Sequence, residues 1–263
     1  MRIAVVTGAS SGLGEAFVRR IDREEPHIDQ IWLIARRKER LNEIAGTLAK
    51  DTRILALDLT KEADVFELKA AFAAEESLTI GLFVGAAGTG KIGNYAALSE
   101  KESLSMIDIN CRAAVAVTLC VLPFMKAGDR VIEICSTSAY QPIQHMNIYA
   151  ASKAFLYNYT RGLRMELLPR GIVVTAVCPW WIKDTEFIKN ARENGREIDT
   201  TKAVRGFPVS TTKETVARRA LRASRHCRAV CTPDFMSFLH RIFAKILPRK
   251  VMLYIWELFR RIG

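Results

Sequence analysis

The segment Ile3-Ala4-Val5-Val6-Thr7-Gly8-Ala9-Ser10-Ser11-Gly12-Leu13-Gly14 passes from a short apolar run, through three glycines, into a helical pattern. An apolar run bounded by a turn reads as a buried strand. Glycine lets the backbone turn tightly and approach a ligand with no Cβ in the way. A helix opening at such a turn presents free N–H groups and the positive end of its dipole, which suits a phosphate. Taken alone, a glycine-rich turn also serves as a plain strand–helix connection. Its position after the first strand and before the first helix favours the phosphate cradle.

The same alternation continues along the chain. Strands are expected at 3–7, 30–35, 53–57, 80–85, 130–135 and 172–178, with a weaker one at 228–231. Helical patterns lie between them at 12–24, 37–50, 61–76, 99–125 and 148–168. The strand runs are β-branched or continuously apolar, as strands covered on both faces should be. Alternating strands and helices imply right-handed crossovers. The fold class is therefore α/β: a single-domain, Rossmann-like, doubly wound parallel sheet of about seven strands with a C-terminal helical extension. Residues 1–233 form the main domain. Within it, 180–210 is a polar excursion above the sheet, with Gly195 and Gly206 as breakers. A helix is expected from Thr211, where Thr211-x-x-Glu214 fits a capping box. Residues 234–263 form an amphipathic, basic helical tail of the same domain, split by Pro248.

The chain of 263 residues is 49% hydrophobic, enough for a sizeable core. Its net charge is +11, and much of the excess lies in the tail. After Met236, the cations Arg241, Lys245, Arg249, Lys250, Arg260 and Arg261 face Glu257 alone. No nucleic-acid module accompanies the charge, so nucleic acid is not expected as a partner. The tail suits either a cover packed on the domain or a partner subunit, or peripheral contact with a membrane. Met1 leads directly into a strand, and no apolar run approaches transmembrane length. A cytoplasmic protein, with membrane-surface association through 234–263, is the expected setting. The six cysteines (111, 120, 135, 178, 227, 231) form no CxxC pair, and the four histidines show no ligand spacing. Reduced thiols and no metal site are expected.

Candidate chemistry lies in Tyr149-Ala150-Ala151-Ser152-Lys153. On a helix, residues four apart share a face, which sets a phenol beside an ammonium. A phenol with a pKa of ~10 is a poor base at neutral pH. An ammonium about 4 Å away contributes roughly 4 kcal/mol at an effective dielectric near 20, enough to bring the phenol toward the useful range. Ser136 lies thirteen residues upstream of the tyrosine, just past the apolar run Val131–Cys135. Its hydroxyl is a candidate hydrogen-bond donor to an oxygen on which charge develops. The second strand ends at Ala35 and is followed by Arg36, Arg37 and Lys38, with no acid. Cations at a helix start oppose its dipole, so an anionic partner such as a ribose 2′-phosphate explains them better than solvent does.

With the glycine turn upstream, the set Ser136, Tyr149 and Lys153 resembles the short-chain dehydrogenase/reductase family, and its bacterial hydroxysteroid and carbonyl reductases in particular. The resemblance covers about 2–179 and 211–231. It implies an oxidoreductase that moves a hydride between NADP(H) and a ketone or secondary alcohol, with Tyr149 as general acid/base. It also gives Asn110 a role in linking Lys153 to a water chain. The cofactor, NADP (NADPH), would be held by Gly8, Ser10, Ser11, Gly12, Leu13, Gly14, Arg36, Arg37, Asp58, Leu59, Ala87, Gly88, Tyr149, Lys153, Pro179, Ile182 and Thr185. Arg36 stands ahead of Arg37 for the 2′-phosphate, and Asp58 lies by the adenine. Substrate contacts are expected from Tyr140, Gln144, His145, Trp180 and Trp181, with an apolar, lipid- or steroid-like compound in mind. The resemblance also implies subunit pairing, as a homodimer or homotetramer, through the helices of Asn110 and Tyr149.

Three positions depart from the family pattern. Gly85-Ala86-Ala87-Gly88 stands for Asn-Asn-Ala-Gly, Pro179-Trp180 for Pro-Gly, and Thr185 comes one residue late. Two rival functions remain at this level. A 3-oxoacyl thioester reductase could use Lys183, Lys189 and Arg192 as a docking face. A nucleotide-binding regulator or membrane-associated scaffold would keep the fold without turnover.

Overall fold

Adjacent residues of the first strand feed two different cores. Ile3 and Val5 pack with Trp32, Phe83 and Val131 on one side of the sheet. Ala4 and Val6 pack with Phe17, Leu33 and Val216 on the other. All four are fully buried, and Ile3, Val5 and Val6 contribute about 1.5–3 kcal/mol each. Side chains alternate across a strand, so a continuous apolar run demands a layer on each face.

The computed structural model describes residues 1–192 and 209–262. Seven strands, β1 (Arg2–Thr7), β2 (Gln30–Ala35), β3 (Asp51–Ala56), β4 (Thr79–Gly85), β5 (Arg130–Ile134), β6 (Val173–Val177) and β7 (Val230–Cys231), form one sheet. Its order is β3-β2-β1-β4-β5-β6-β7, and every pairing is parallel. The order reverses between β1 and β4, which opens a crevice at the carboxyl ends of those strands. Helices α1 (Gly12–Glu24), α2 (Lys38–Ala45) and α8 (Lys213–Arg225) supply or flank the first core. Helices α3 (Glu62–Ala73), α5 (Ala114–Val121) and α6 (Asn147–Leu167) cover the other face. A doubly wound sheet of seven parallel strands is what the sequence pattern predicts.

Several boundaries differ from the expectation. Helix α2 stops at Ala45, with Gly46 after it, rather than running to 50. The predicted helix 99–125 is not continuous. It comprises α4 (Glu100–Ile107), a wider π-helical turn over Asp108–Ala113, α5, and a 3₁₀ turn at Leu122–Phe124 that carries Pro123. The whole run from Glu100 to Phe124 is long and apolar enough to cross a membrane, contrary to the reading of the sequence. Here Val117 and Val121 are buried against the sheet. The cap of α8 is Thr212, whose side chain accepts from the Thr215 N–H at 3.2 Å. Thr211 instead bridges to Ile182, and Glu214 pairs with Arg20 at 3.2 Å. Much of the 180–210 excursion lies outside the described residues. Its first part forms α7 (Glu186–Arg192). The tail forms α9 (Phe235–Ile246) and α10 (Arg249–Ile262), broken at Pro248 as expected. Asp234 and Ser237 close a capping box at the start of α9.

Candidate active site

The glycine turn joins β1 to α1 at the crevice. Gly12 has φ +54, a conformation that disfavours a side chain. A Cβ on Gly14 would lie 2.1 Å from the Gly8 carbonyl oxygen, so this close turn admits only glycine. Ser11 stands at the N-cap of α1 but makes no side-chain cap. The first-turn N–H groups of α1 are therefore not taken up by that hydroxyl. The turn is braced from β4: Thr7 Oγ1 accepts from the N–H groups of Ala86 and Ala87, both at 3.1 Å.

A cavity of about 580 Å³ runs from this turn to Tyr149 and Lys153. That volume falls within the range of small-molecule sites. One end is lined by Gly8, Ser10 to Gly14, Arg36, Arg37, Asp58 and Leu59. The other is lined by Ala87, Gly88, Ser136, Ser138, Tyr149, Lys153, Pro179, Ile182 and Thr185. Arg37 donates to the Ser10 hydroxyl and carbonyl at 3.3 and 3.2 Å and to Glu186 at 3.2 Å. Burial alone would raise the Asp58 carboxyl. Hydrogen bonds from Thr60 and the charges of Arg36 and Lys61 hold it below the usual carboxylate range. The glycine turn, the Arg36 and Arg37 guanidinium groups and Asp58 together line an end of the cavity that could hold a dinucleotide.

Tyr149 and Lys153 lie one turn apart on α6 and are both buried. Burial pushes the Tyr149 phenol up to about 12, while the neighbouring Ser136 and Ser138 hydroxyls act the other way. The expected lowering by Lys153 is not found. The lysine is itself pushed down by burial, and its ammonium donates to the Ile134 carbonyl at 2.8 Å. Desolvation outweighs the pairing that helix spacing alone suggested. Ser136 begins a 3₁₀ turn, Thr137–Tyr140, and its hydroxyl accepts from the Ser138 N–H at 3.1 Å.

Asn110 sits in the π-helical turn, a distortion that recurs at functional sites. Its amide donates to the Thr89 carbonyl at 2.8 Å and to Ser152 Oγ at 3.0 Å. Its Oδ1 accepts from the Thr89 N–H at 3.0 Å. These bonds tie the loop after β4 to the helix that carries Tyr149. A purely local role for the asparagine is thereby excluded. The loss of asparagines at 85–86 also has a physical counterpart. Glu133 on β5 is buried opposite Gly85, and a Cβ there would lie 2.1 Å from its carboxylate. Burial raises Glu133 to about 8, against the Thr118 hydrogen bond and the Lys153 charge.

The substrate expectations divide. Trp180 and Trp181 line the cavity, whereas Tyr140, Gln144 and His145 lie outside its lining. Tyr140 packs edge-on against Tyr157, with centroids 5.4 Å apart. The Gln144 carbonyl accepts from the Trp256 indole at 3.3 Å. His145 has φ 62 in the loop before α6, and its carbonyl accepts from the Gly93 N–H at 2.8 Å. Proximity to Tyr149 in sequence does not survive the turn made at this loop. The cavity gains Ser138, Ile143, Met146, Phe187, His240 and Trp256 instead. Phe187 stands 5.4 Å from the Tyr149 ring. His240 and Trp256 come from the tail, whose apolar spacing announced helices but not where they would pack. The side chains of Lys189 and Arg192, invoked for a thioester docking face, lie outside the described residues.

The family model described as short chain dehydrogenase matches residues 2–196. The chain belongs to the short-chain dehydrogenase family. It is accordingly a nicotinamide-dependent oxidoreductase. An uncharacterized oxidoreductase of Staphylococcus aureus (strain MRSA252) is 33% identical over 184 residues, which span 68% of this chain and 77% of that protein. The short-chain dehydrogenase of Sphingobium yanoikuyae, solved in complex with NADPH, aligns with a TM-score of 0.75. That alignment has 24% identity and covers 94% of this chain and 96% of the other. A closed serine dehydrogenase complexed with NADP+ aligns with a TM-score of 0.74 at 28% identity, over 88% of this chain and 94% of its own.

Proposed function

We propose that this short-chain dehydrogenase reduces an apolar ketone to a secondary alcohol and takes its electrons from NADPH. The single observation that carries this reading is Tyr149, buried beside Ser136 and Lys153 at one end of a large cavity, where burial favours its neutral phenol. A phenol held in its neutral form is stocked as a proton donor at neutral pH. The cofactor, when bound, supplies the hydride. Tyr149 gives its proton to the carbonyl oxygen, and the Ser136 hydroxyl hydrogen-bonds that oxygen as charge develops on it. Lys153, fixed to the Ile134 carbonyl, sets a positive charge under the site and holds the helix face in register. Asn110 positions the 86–89 loop and α6 relative to one another.

The preference for the phosphorylated cofactor rests on Arg36 and Arg37 at the end of β2 and on the absence of an acid there. A 2′-phosphate would meet a guanidinium where a 2′-hydroxyl needs a carboxylate. The preference for an apolar substrate rests on Ile143, Met146, Trp180, Trp181, Phe187 and Trp256 around the Tyr149 end. The reading extends to a cytoplasmic homodimer or homotetramer paired through the α4–α5 and α6 surfaces. Exposed Leu104, Ile107, Leu119, Phe155 and Met165 lie on those helices. Steady-state oxidation of NADPH and NADH, measured against bulky apolar ketones and 3-oxoacyl thioesters, tests the reading. Preference for NADPH that Arg36→Ala abolishes, with turnover of the ketones, supports it. Preference for NADH, or turnover of thioesters alone, overturns it.

A further inference from the structure

The tail turns its apolar face away from the domain. On α9, Ser237 is fully buried, and His240 packs edge-on against Trp180 and Tyr140 at 5.3 and 6.0 Å. Those positions define the inner face. Phe235, Phe238, Phe243 and Ile246, on the opposite side of the helix, are 68, 51, 45 and 72% exposed. Helix α10 divides its apolar residues between two faces. Met252 and Trp256 are buried, while Val251, Tyr254 and Leu258 are exposed. Seven of the seventeen large hydrophobics exposed among the described residues thus fall between Phe235 and Leu258. A helix that merely covered a domain would bury this face.

The charges beside this face discriminate between occupants. The exposed cations Lys245, Arg249 and Lys250 accompany it, and Glu257 is the one acid in the same span of sequence. Burial lowers His240 to about 4, so that residue adds no charge at neutral pH. Lysine is depleted at protein–protein interfaces, and two of these cations are lysines. Apolar and aromatic residues bordered by lysine and arginine match the boundary between acyl chains and anionic headgroups. We propose that the α9–α10 pair docks on the surface of an anionic lipid bilayer, with Phe235, Phe238, Phe243, Ile246, Val251 and Tyr254 entering the interface. His240 and Trp256 on the inner faces line the cavity, so the helices that meet lipid are also walls of the candidate active site. This inference stands apart from the catalytic reading, because it requires no turnover.

Cosedimentation of the full-length protein with vesicles tests it. One set is phosphatidylcholine alone, and the other is equal parts phosphatidylcholine and phosphatidylglycerol. Binding at least roughly tenfold stronger to the mixed vesicles, weakened by added salt, is expected from several interfacial cations. The double variants Phe238→Ser/Ile246→Ser and Lys245→Ser/Lys250→Ser, all at exposed positions, should each lose that binding without loss of thermal stability. Wild-type protein that stays in the supernatant with both vesicles overturns the proposal. So does binding unchanged in both double variants. A dimer that Phe238→Ser/Ile246→Ser dissociates, with no vesicle binding, would give the face to a second copy of the chain and overturn it equally.

Discussion

Tyr149 is governed by burial more than by its lysine. A neutral phenol held up to about 12 is the populated form through the physiological range. The rate of ketone reduction should therefore stay level from neutral to moderately alkaline pH. The reverse oxidation needs the phenolate, so its rate should rise with pH, by up to about tenfold per unit while the neutral form dominates. Initial rates in both directions across a pH series check this. Glu133 gives a second prediction. Its folded value of about 8 lies above the ordinary carboxyl value of 4.5. The group thus contributes stability that is fully present below about 4.5 and is lost as pH rises through about 8. Glu133→Gln keeps the fit opposite Gly85 but cannot ionise. Thermal unfolding of the variant should lack that part of the decline between pH 5 and 9, where the wild type shows it. Neither environment was legible in the sequence, because both follow from what long-range packing places around a side chain. The pairing of Tyr149 with Lys153 on one helix face, by contrast, follows from spacing alone.

At the scale of elements, the strand positions and most helices follow from period and turn chemistry. The broken helix over 99–125 has an identifiable cause. A π-helical turn leaves the helical apolar pattern almost intact, so the interruption at Asp108–Ala113 is invisible until Asn110 finds Thr89 and Ser152 across the fold. Removing that tie should matter at a distance. Asn110→Ala deletes three hydrogen bonds of a buried side chain, each worth about 1 kcal/mol, and frees the Thr89 and Ser152 groups they held. It should lower stability by roughly 3 kcal/mol in urea unfolding and slow turnover, although the side chain's bonds among the described residues go to Thr89 and Ser152. The cap of α8 offers a sharper check. Two adjacent threonines made either register possible from sequence, and the structure selects Thr212. Thr212→Ala should cost about 1 kcal/mol. Glu214→Ala, which removes only a half-exposed pair with Arg20, should cost well under that.

For the whole molecule, the alternation of apolar runs and amphipathic stretches was enough to predict a parallel doubly wound sheet and a cofactor crevice at its carboxyl edge. The second half of the cavity was less legible. His240 and Trp256 reach it from more than ninety residues beyond Tyr149, and only the tertiary path of α9 and α10 brings them there. Conversely, Tyr140, Gln144 and His145 are near Tyr149 in sequence but do not line the cavity. These scales meet in the proposed reaction, in which the crevice reduces an apolar ketone with a proton from Tyr149. Oxidation of NADPH in the presence of such a ketone, by the wild type and Tyr149→Phe in parallel, tests it most directly. The account predicts turnover by the wild type and a loss of at least about 10²-fold in the variant, with NADPH binding retained. Equal rates from the two proteins would contradict it.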